Sequence, residues 1–188
     1  HNNLDELYGG PVWRPALSIA DPRGKETFLR ETYQKALEKL GWKVRPFRMI
    51  NRHNQTQYYL FFATTNWLGM LTMKRAMWKA AGGGDFRYSD LTSPQQGLLF
   101  EKVYDEEYSQ QLAAQLFEGY RGKAVSKLTL MRNEVAWHPV CIDRHLTRAL
   151  RILEYESAPP KILEVKRPGG RIRRKGSYPD DCVIRFVT

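Results

Sequence analysis

KRPGGRIRRKGSYPDD, residues 166–181, sets two glycines behind a proline and then gathers Arg171, Arg173, Arg174 and Lys175 within five positions. Like charges crowded on one turn repel each other, and they become favourable when phosphates replace their counterions. The flanking stretches, KILEVKR at 161–167 and CVIRFV at 182–187, read as strands. Paired glycines admit positive φ, so a hairpin is predicted with its turn near Gly169–Gly170. Between Lys161 and Lys175 seven basic residues face one acid, Glu164.

The stretch gains meaning from what precedes it. VSKLTLMRNEVAW, 125–137, reads as a short helix capped by Ser126, HPV as a turn, and CIDRHLTRALRILEYES, 141–157, as a second helix. Ile142, Leu146, Ala149, Leu150 and Leu153 share one face of that second helix. Arg144, Thr147, Arg148 and Arg151 follow i, i+3, i+4, i+7 on the other. Helix, turn, helix and hairpin is the order of a winged helix-turn-helix, whose second helix is laid toward the major groove. The arginines of that helix are expected at base edges, since a guanidinium fork suits guanine. Lys166, Arg167, Arg171, Arg173, Arg174 and Lys175 are expected at phosphates.

Charge supports a polyanion partner, duplex DNA ahead of RNA. Residues 1–120 hold 15 basic and 13 acidic residues, whereas 121–188 hold 15 and 7. The excess belongs to the last third of the chain.

The first part reads differently. LYGGPVWRPAL is expected to be a loop or short linker, and KETFLRETYQKALEKLGW a helix stopped by Gly41. KVRPFRMIN and YYLFFAT are expected to pair as a hairpin across RHNQTQ. The continuous apolar run at Tyr58–Ala63 predicts a strand covered on both faces. NWLGMLTMKRAMWKA is a helix capped by Asn66, with Met70, Met73 and Met77 in the core and Lys74, Arg75 and Lys79 toward water. AGGGDF lacks the strand–helix setting of a phosphate loop. A polar loop and a helix over DEEYSQQLAAQLFEGYRG, ended by Gly119 or Gly122, lead into the last third.

YYLFFATTNWLGMLTMKRAMWK at 58–79, FRYSD at 86–90 and RRKGSYPDDCVIRF at 173–186 together resemble three-Cys-motif partner proteins. The resemblance implies a methyltransferase-like region followed by a winged helix, and covers the family's C-terminal half. It also implies a gene-neighbourhood partner, a three-cysteine protein resembling radical-SAM enzymes. The implied fold is α+β: residues 1–100 close a methyltransferase-like α/β sheet, and 101–188 form a helix plus winged helix-turn-helix. The glycine-rich turn that would hold S-adenosylmethionine is not in this sequence, so that cofactor is expected only of a longer protein. No cofactor or catalytic residue is assigned here.

Other chemistries fare poorly. Glu164-Val165-Lys166 precedes Asp180-Asp181, the reverse of the usual metal-nuclease order. Cys141 and His145 lie four apart on one helix without an orienting third group. His53 and His138 lack companions at metal-ligand spacing. Two lone cysteines make no disulfide framework and suit a reduced cytoplasmic protein. No apolar run reaches the ~18 residues of a membrane span. The chain begins at His1 without a signal-peptide pattern, so a piece of a longer protein is expected. Two further readings remain open. One is a module that docks the missing methyltransferase-like region or the three-cysteine partner. The other is part of an S-adenosylmethionine-dependent methyltransferase whose catalytic half lies outside this chain.

Overall fold

A computed structural model describes residues 2–81, 87–89 and 94–188; the glycine-rich break at 82–86 and part of the polar loop, 90–93, lie outside them. The fold is mixed α+β, with three-stranded sheets ordered β2-β1-β3 and β4-β6-β5.

The chain opens with α1 (Asn2–Tyr8) and a 3-10 turn (Pro11–Ser18), where a loop was expected. Asp5 is the reason: its carboxylate accepts from Trp13 Nε1 at 2.8 Å and Arg14 Nη2 at 2.9 Å, folding the two pieces together. Helix α2 (Pro22–Lys39) begins at a cap that suits it. Asp21 accepts from Arg23 N and Gly24 N at 3.3 and 2.7 Å, and Pro22 needs no donor partner. Gly41 follows with φ +86°, as the stop signal predicts.

Strands β1 (Lys43–Ile50) and β2 (Thr56–Thr64) pair antiparallel from Lys43↔Thr64 to Ile50↔Thr56, and β3 (Arg87–Ser89) runs parallel to β1. β2 corrects an expectation. It is an edge strand of the described sheet, and Tyr58 and Leu60 are each 51% exposed. An apolar run marks a residue set that suits a strand, but the strand's place in the sheet decides how many faces are covered.

Helix α3 (Trp67–Ala81) starts as predicted, with Asn66 Oδ1 accepting from Leu68 N at 2.9 Å and Gly69 N at 3.2 Å. Met70 and Met77 are buried. Lys74, expected toward water, is 0% exposed. Helical phase explains the correction: position 74 is i+4 from Met70 and i−3 from Met77, so it belongs to the methionine stripe.

Helix α4 (Pro94–Tyr120) begins well before the predicted start and crosses the expected boundary at 100. It leads through Gly122, φ +70°, into β4 (Ala124–Ser126). Helix α5 (Lys127–Leu130) is capped by Ser126 Oγ, which accepts from Thr129 N at 3.0 Å, and continues as a π turn to Val135. Helix α6 (Asp143–Arg151) likewise continues to Glu156. Strands β5 (Ile162–Lys166) and β6 (Val183–Phe186) complete the second sheet, β6 pairing antiparallel with both β4 and β5. The helix–turn–helix–strand–strand order read from the sequence is present, and β4 adds a strand the sequence did not announce.

The leucine face of α6 packs as its spacing requires. Leu146, Ala149 and Leu150 are fully buried with Leu112, Leu116, Leu130 and Ile184. A second cluster, Phe47, Met77, Trp78, Ala81 and Ile142, joins the first sheet to the start of α6.

The hairpin turn is another correction. Gly169 and Gly170 do take φ +68° and +69°, but the chain does not return there. It runs on through a second turn at Gly176 and re-enters the sheet only at Val183. Side chains draw this long loop onto α6 and α5. Arg173 and Tyr178 both reach Glu154, Lys127 meets Asp180 at 2.8 Å, and Arg167 grips Asp181 at 3.0 Å.

Candidate nucleic-acid interface

The face of α6 that carries Arg144, Thr147, Arg148 and Arg151 divides into two environments. Toward α4 the arginines meet acids. Arg148 Nε and Nη2 hold Glu106 at 2.9 and 3.0 Å, and its Nη1 and Nη2 hold Glu156, the latter at 2.9 Å. These bonds raise the Arg148 pKa above its ordinary value and hold Glu106 below the usual carboxylate range. Arg144 lies over the Trp78 ring at 4.7 Å with its Nε 3.0 Å from Asp105. Both guanidiniums are therefore occupied in fastening α6 to its neighbours.

Toward the loop the environment reverses. Thr147, Arg151, Tyr155, Arg174, Lys175 and Ser177 line a groove of about 860 Å³ between α6 and the loop. Three cations stand on it, and among the described residues no carboxylate lines it. Arg151 Nε donates to Gly176 O at 3.0 Å, which aims its fork along the groove. Lys175 Nζ sits 5.1 Å from the Tyr155 ring centroid. Arg174 is exposed. Thr147 Oγ1 donates back to Asp143 O at 3.3 Å, a helix-internal bond that leaves the hydroxyl oxygen able to accept.

The remaining sequence candidates sort the same way. Arg173 is held by Glu154 and lies 5.3 Å from the Tyr178 ring centroid. Burial and the Glu154 carboxylate push the Tyr178 phenol well above its ordinary pKa. Arg167 is bidentate to Asp181, and Lys166 meets Glu164 at 2.8 Å. Arg171 is exposed beside Ile172, which is 95% exposed at the loop's far end. Arg151, Arg171, Arg174 and Lys175 thus face solvent, while Arg144, Arg148, Arg167 and Arg173 serve as ties.

One group that sequence reasoning missed organises the turn before α6. Lys74 Nζ donates to Val135 O and His138 O at 2.7 Å each and to Cys141 O at 2.5 Å. Three carbonyl acceptors match the three N–H bonds of an ammonium. Burial, with Arg45 adding to it, pushes its pKa down to about 7. His138 Nδ1 accepts from Val140 N and Cys141 N at 3.2 and 3.0 Å. Burial, Lys74 and Arg45 lower its pKa to about 4. His145 Nδ1 accepts from Ile142 N at 2.8 Å, so its proton sits on Nε2, 2.8 Å from Asp105 Oδ1. Burial and Arg144 lower its pKa to about 3. The signal for Lys74 was its phase on the methionine stripe; for Asp105 and Glu106 no sequence signal says which basic residue they would meet.

The alternative chemistries find little to build on. Cys141 is buried, its thiol pushed up to about 12 by burial, and it lies 3.8 Å from His138 Nε2 rather than beside a free imidazole of His145. Glu164, Asp180 and Asp181 are each paired with a different cation. Among the described residues no three His, Cys, Asp or Glu side chains gather as a metal site, and no helix is long and apolar enough to cross a membrane. No family model, curated protein or solved structure matches this chain.

Proposed function

We propose that residues 94–188 act as a winged helix-turn-helix that binds nucleic acid, duplex DNA ahead of RNA, within a longer cytoplasmic protein. The observation that carries this reading is the groove between α6 and the 167–182 loop, where Arg151, Arg174 and Lys175 collect without a lining carboxylate. Arg144, Arg148, Arg167 and Arg173 each have an acid at hand, so the groove is where an external anion gains most. α6 is rigid, which suits Arg151 and Thr147 to the groove of a duplex, and the loop's Arg171, Arg174 and Lys175 suit its phosphates.

The test is the double variant Arg174→Ala/Lys175→Ala. It should weaken all duplexes similarly and flatten the log–log salt slope by about one to two units. Equal binding of variant and parent at low salt would sink the proposal.

A second reading has its own observation. β2 offers a strand edge with Tyr58 and Leu60 half exposed, as a hairpin continuing a methyltransferase-like sheet would. Under it the chain is the C-terminal half of a three-Cys-motif partner-like protein, docked on its own methyltransferase-like region or on a radical-SAM-like partner. S-adenosylmethionine would then be held by residues outside this chain. Duplex binding that is undetectable at low salt, with β2 protected from exchange only in the longer protein, would favour this reading.

A further inference from the structure

Arginines also gather far from the groove. A cleft of about 640 Å³ opens between α2, the β1–β2 hairpin and the turn at Pro139–Val140. Arg23, Arg30, Arg45 and Arg48 line it, and Glu26 is its single lining carboxylate. Glu26 is already committed: it accepts from Thr56 Oγ1 at 2.8 Å and Tyr59 OH at 2.7 Å and lies 3.3 Å from Arg48 Nε. Its charge balances Arg48, and Arg30 holds Glu31 at 2.9 Å, which leaves Arg23 and Arg45 on the cleft without an ion pair among the described residues.

Arg45 is the telling member. Its Nε is buried and has no hydrogen-bond acceptor among the described residues. Its Nη2 makes only long contacts, 3.4 Å to Trp137 O and 3.3 Å to His138 O. Lys74 donates to that same His138 carbonyl from the other side. Buried Lys74 and half-buried Arg45 thus converge on one peptide oxygen, and neither has a carboxylate within ion-pair reach among the described residues. An uncompensated buried charge is among the costliest features a fold can keep, and an anion beside it relieves that cost. Burial lowers the Arg45 pKa, and the Glu38 carboxylate, beyond ion-pair reach, offsets this only in part.

We propose that this cleft binds the di- or triphosphate group of a small ligand, a nucleotide or a free polyphosphate, at a site separate from the nucleic-acid groove. Guanidinium forks drawn from α2 and β1 can surround a phosphate chain bidentately, which a single carboxylate would not use. The volume lies in the range of small-ligand sites, about 300–1,000 Å³. The phosphates could otherwise come from a nucleic-acid backbone, and the experiment separates the two sources.

Tripolyphosphate and ATP are each titrated into the whole chain by calorimetry at low salt, beside a duplex titration. At least one of the two should bind saturably. Arg23→Ala/Arg30→Ala, at surface positions that leave the core intact, should weaken that binding at least about tenfold while duplex affinity stays within about twofold. Arg45→Gln should do the same where it folds. Arg174→Ala/Lys175→Ala should show the converse pattern, so failure of the groove and failure of the cleft are distinguishable. The proposal is overturned if neither probe binds, or if binding ignores Arg23→Ala/Arg30→Ala. It is equally overturned if that variant weakens the duplex as much as the loop variant does, which would give the cleft to a nucleic-acid backbone.

Discussion

Replacing Lys74 by methionine asks which of two opposed effects governs the buried ammonium. Methionine keeps most of the apolar stem, so packing changes little. It removes three ammonium bonds of 2.5–2.7 Å, leaving Val135 O to His138 N at 3.2 Å, His138 O to Arg45 Nη2 at 3.3 Å and the Cys141 carbonyl without its donor. A hydrogen bond to a charged group is worth about 1.5–3 kcal/mol, so three give a gross loss of about 5–9 kcal/mol. Against this, removing one buried cation returns several kcal/mol of desolvation. The difference is a net loss of about 3 kcal/mol. For a chain of this length that lowers Tm by about 6–12 °C. Urea unfolding followed by circular dichroism measures it. The pH dependence has a definite sign. Native Lys74 releases its proton near 7, whereas the unfolded chain keeps it to the ordinary value of 10.5. The unfolded state therefore binds more protons between those limits, and wild-type stability rises with pH relative to Lys74→Met. The deficit of the variant should widen from pH 7 toward pH 10. A variant as stable as the parent at pH 7 would show that desolvation outweighs the three carbonyl bonds, and the clasp would lose its structural role.

Three further outcomes follow from the loop and α6. Gly176→Ala forces a side chain onto φ +76° and sets its Cβ 2.8 Å from Tyr155 Oη, so the loop should shift and the chain lose about 1–2 kcal/mol, read by urea midpoint. Arg148→Ala removes the link among α6, Glu106 and Glu156 and should cost about 1–2 kcal/mol of stability, discounted for its partial exposure, while duplex preference keeps its rank order across sequences. Tyr178→Phe deletes the phenol donated to Glu154 and should cost about 1–2 kcal/mol and speed hydrogen exchange in the 171–178 loop.

The C-terminal architecture was legible because its signals are local. Ser126 and Asn66 cap where their side chains can reach backbone N–H groups, and the leucine spacing of α6 fixes its buried face. The glycine stop at 41 was equally plain, and of the two offered after α4, 119 and 122, Gly122 is the one with positive φ. What was not legible depends on partners distant in sequence. Arg148 reads as an exposed cation until α4 brings Glu106 beside it, 42 residues away in the chain. Lys74 reads as a wet residue until the turn at 135–141 presents three carbonyls to it. β2 reads as doubly covered because composition reports what a strand can bury, not where it sits.

The misreadings of Arg148 and Lys74 have one physical root, and it sharpens the functional argument. A basic residue can serve the fold or serve a ligand, and its charge alone does not say which. The structure separates them by the acceptors each one finds, three carbonyls for Lys74 and carboxylates for the arginine ties. Arg144, Arg148, Arg167 and Arg173 find acids within ordinary bonding distance, and their loss should register first as stability. Arg151, Arg174 and Lys175 at the groove lack a lining acid, and Arg45 at the cleft has a buried Nε without an acceptor. Such charges repel their neighbours in the free protein and gain most when an anion arrives. Their loss should therefore register as affinity, with the folded state unchanged or slightly more stable at low salt. A stability gain on removing Arg174 and Lys175, paired with a loss of duplex affinity, is the combined signature of cations held in place for a ligand rather than for the fold.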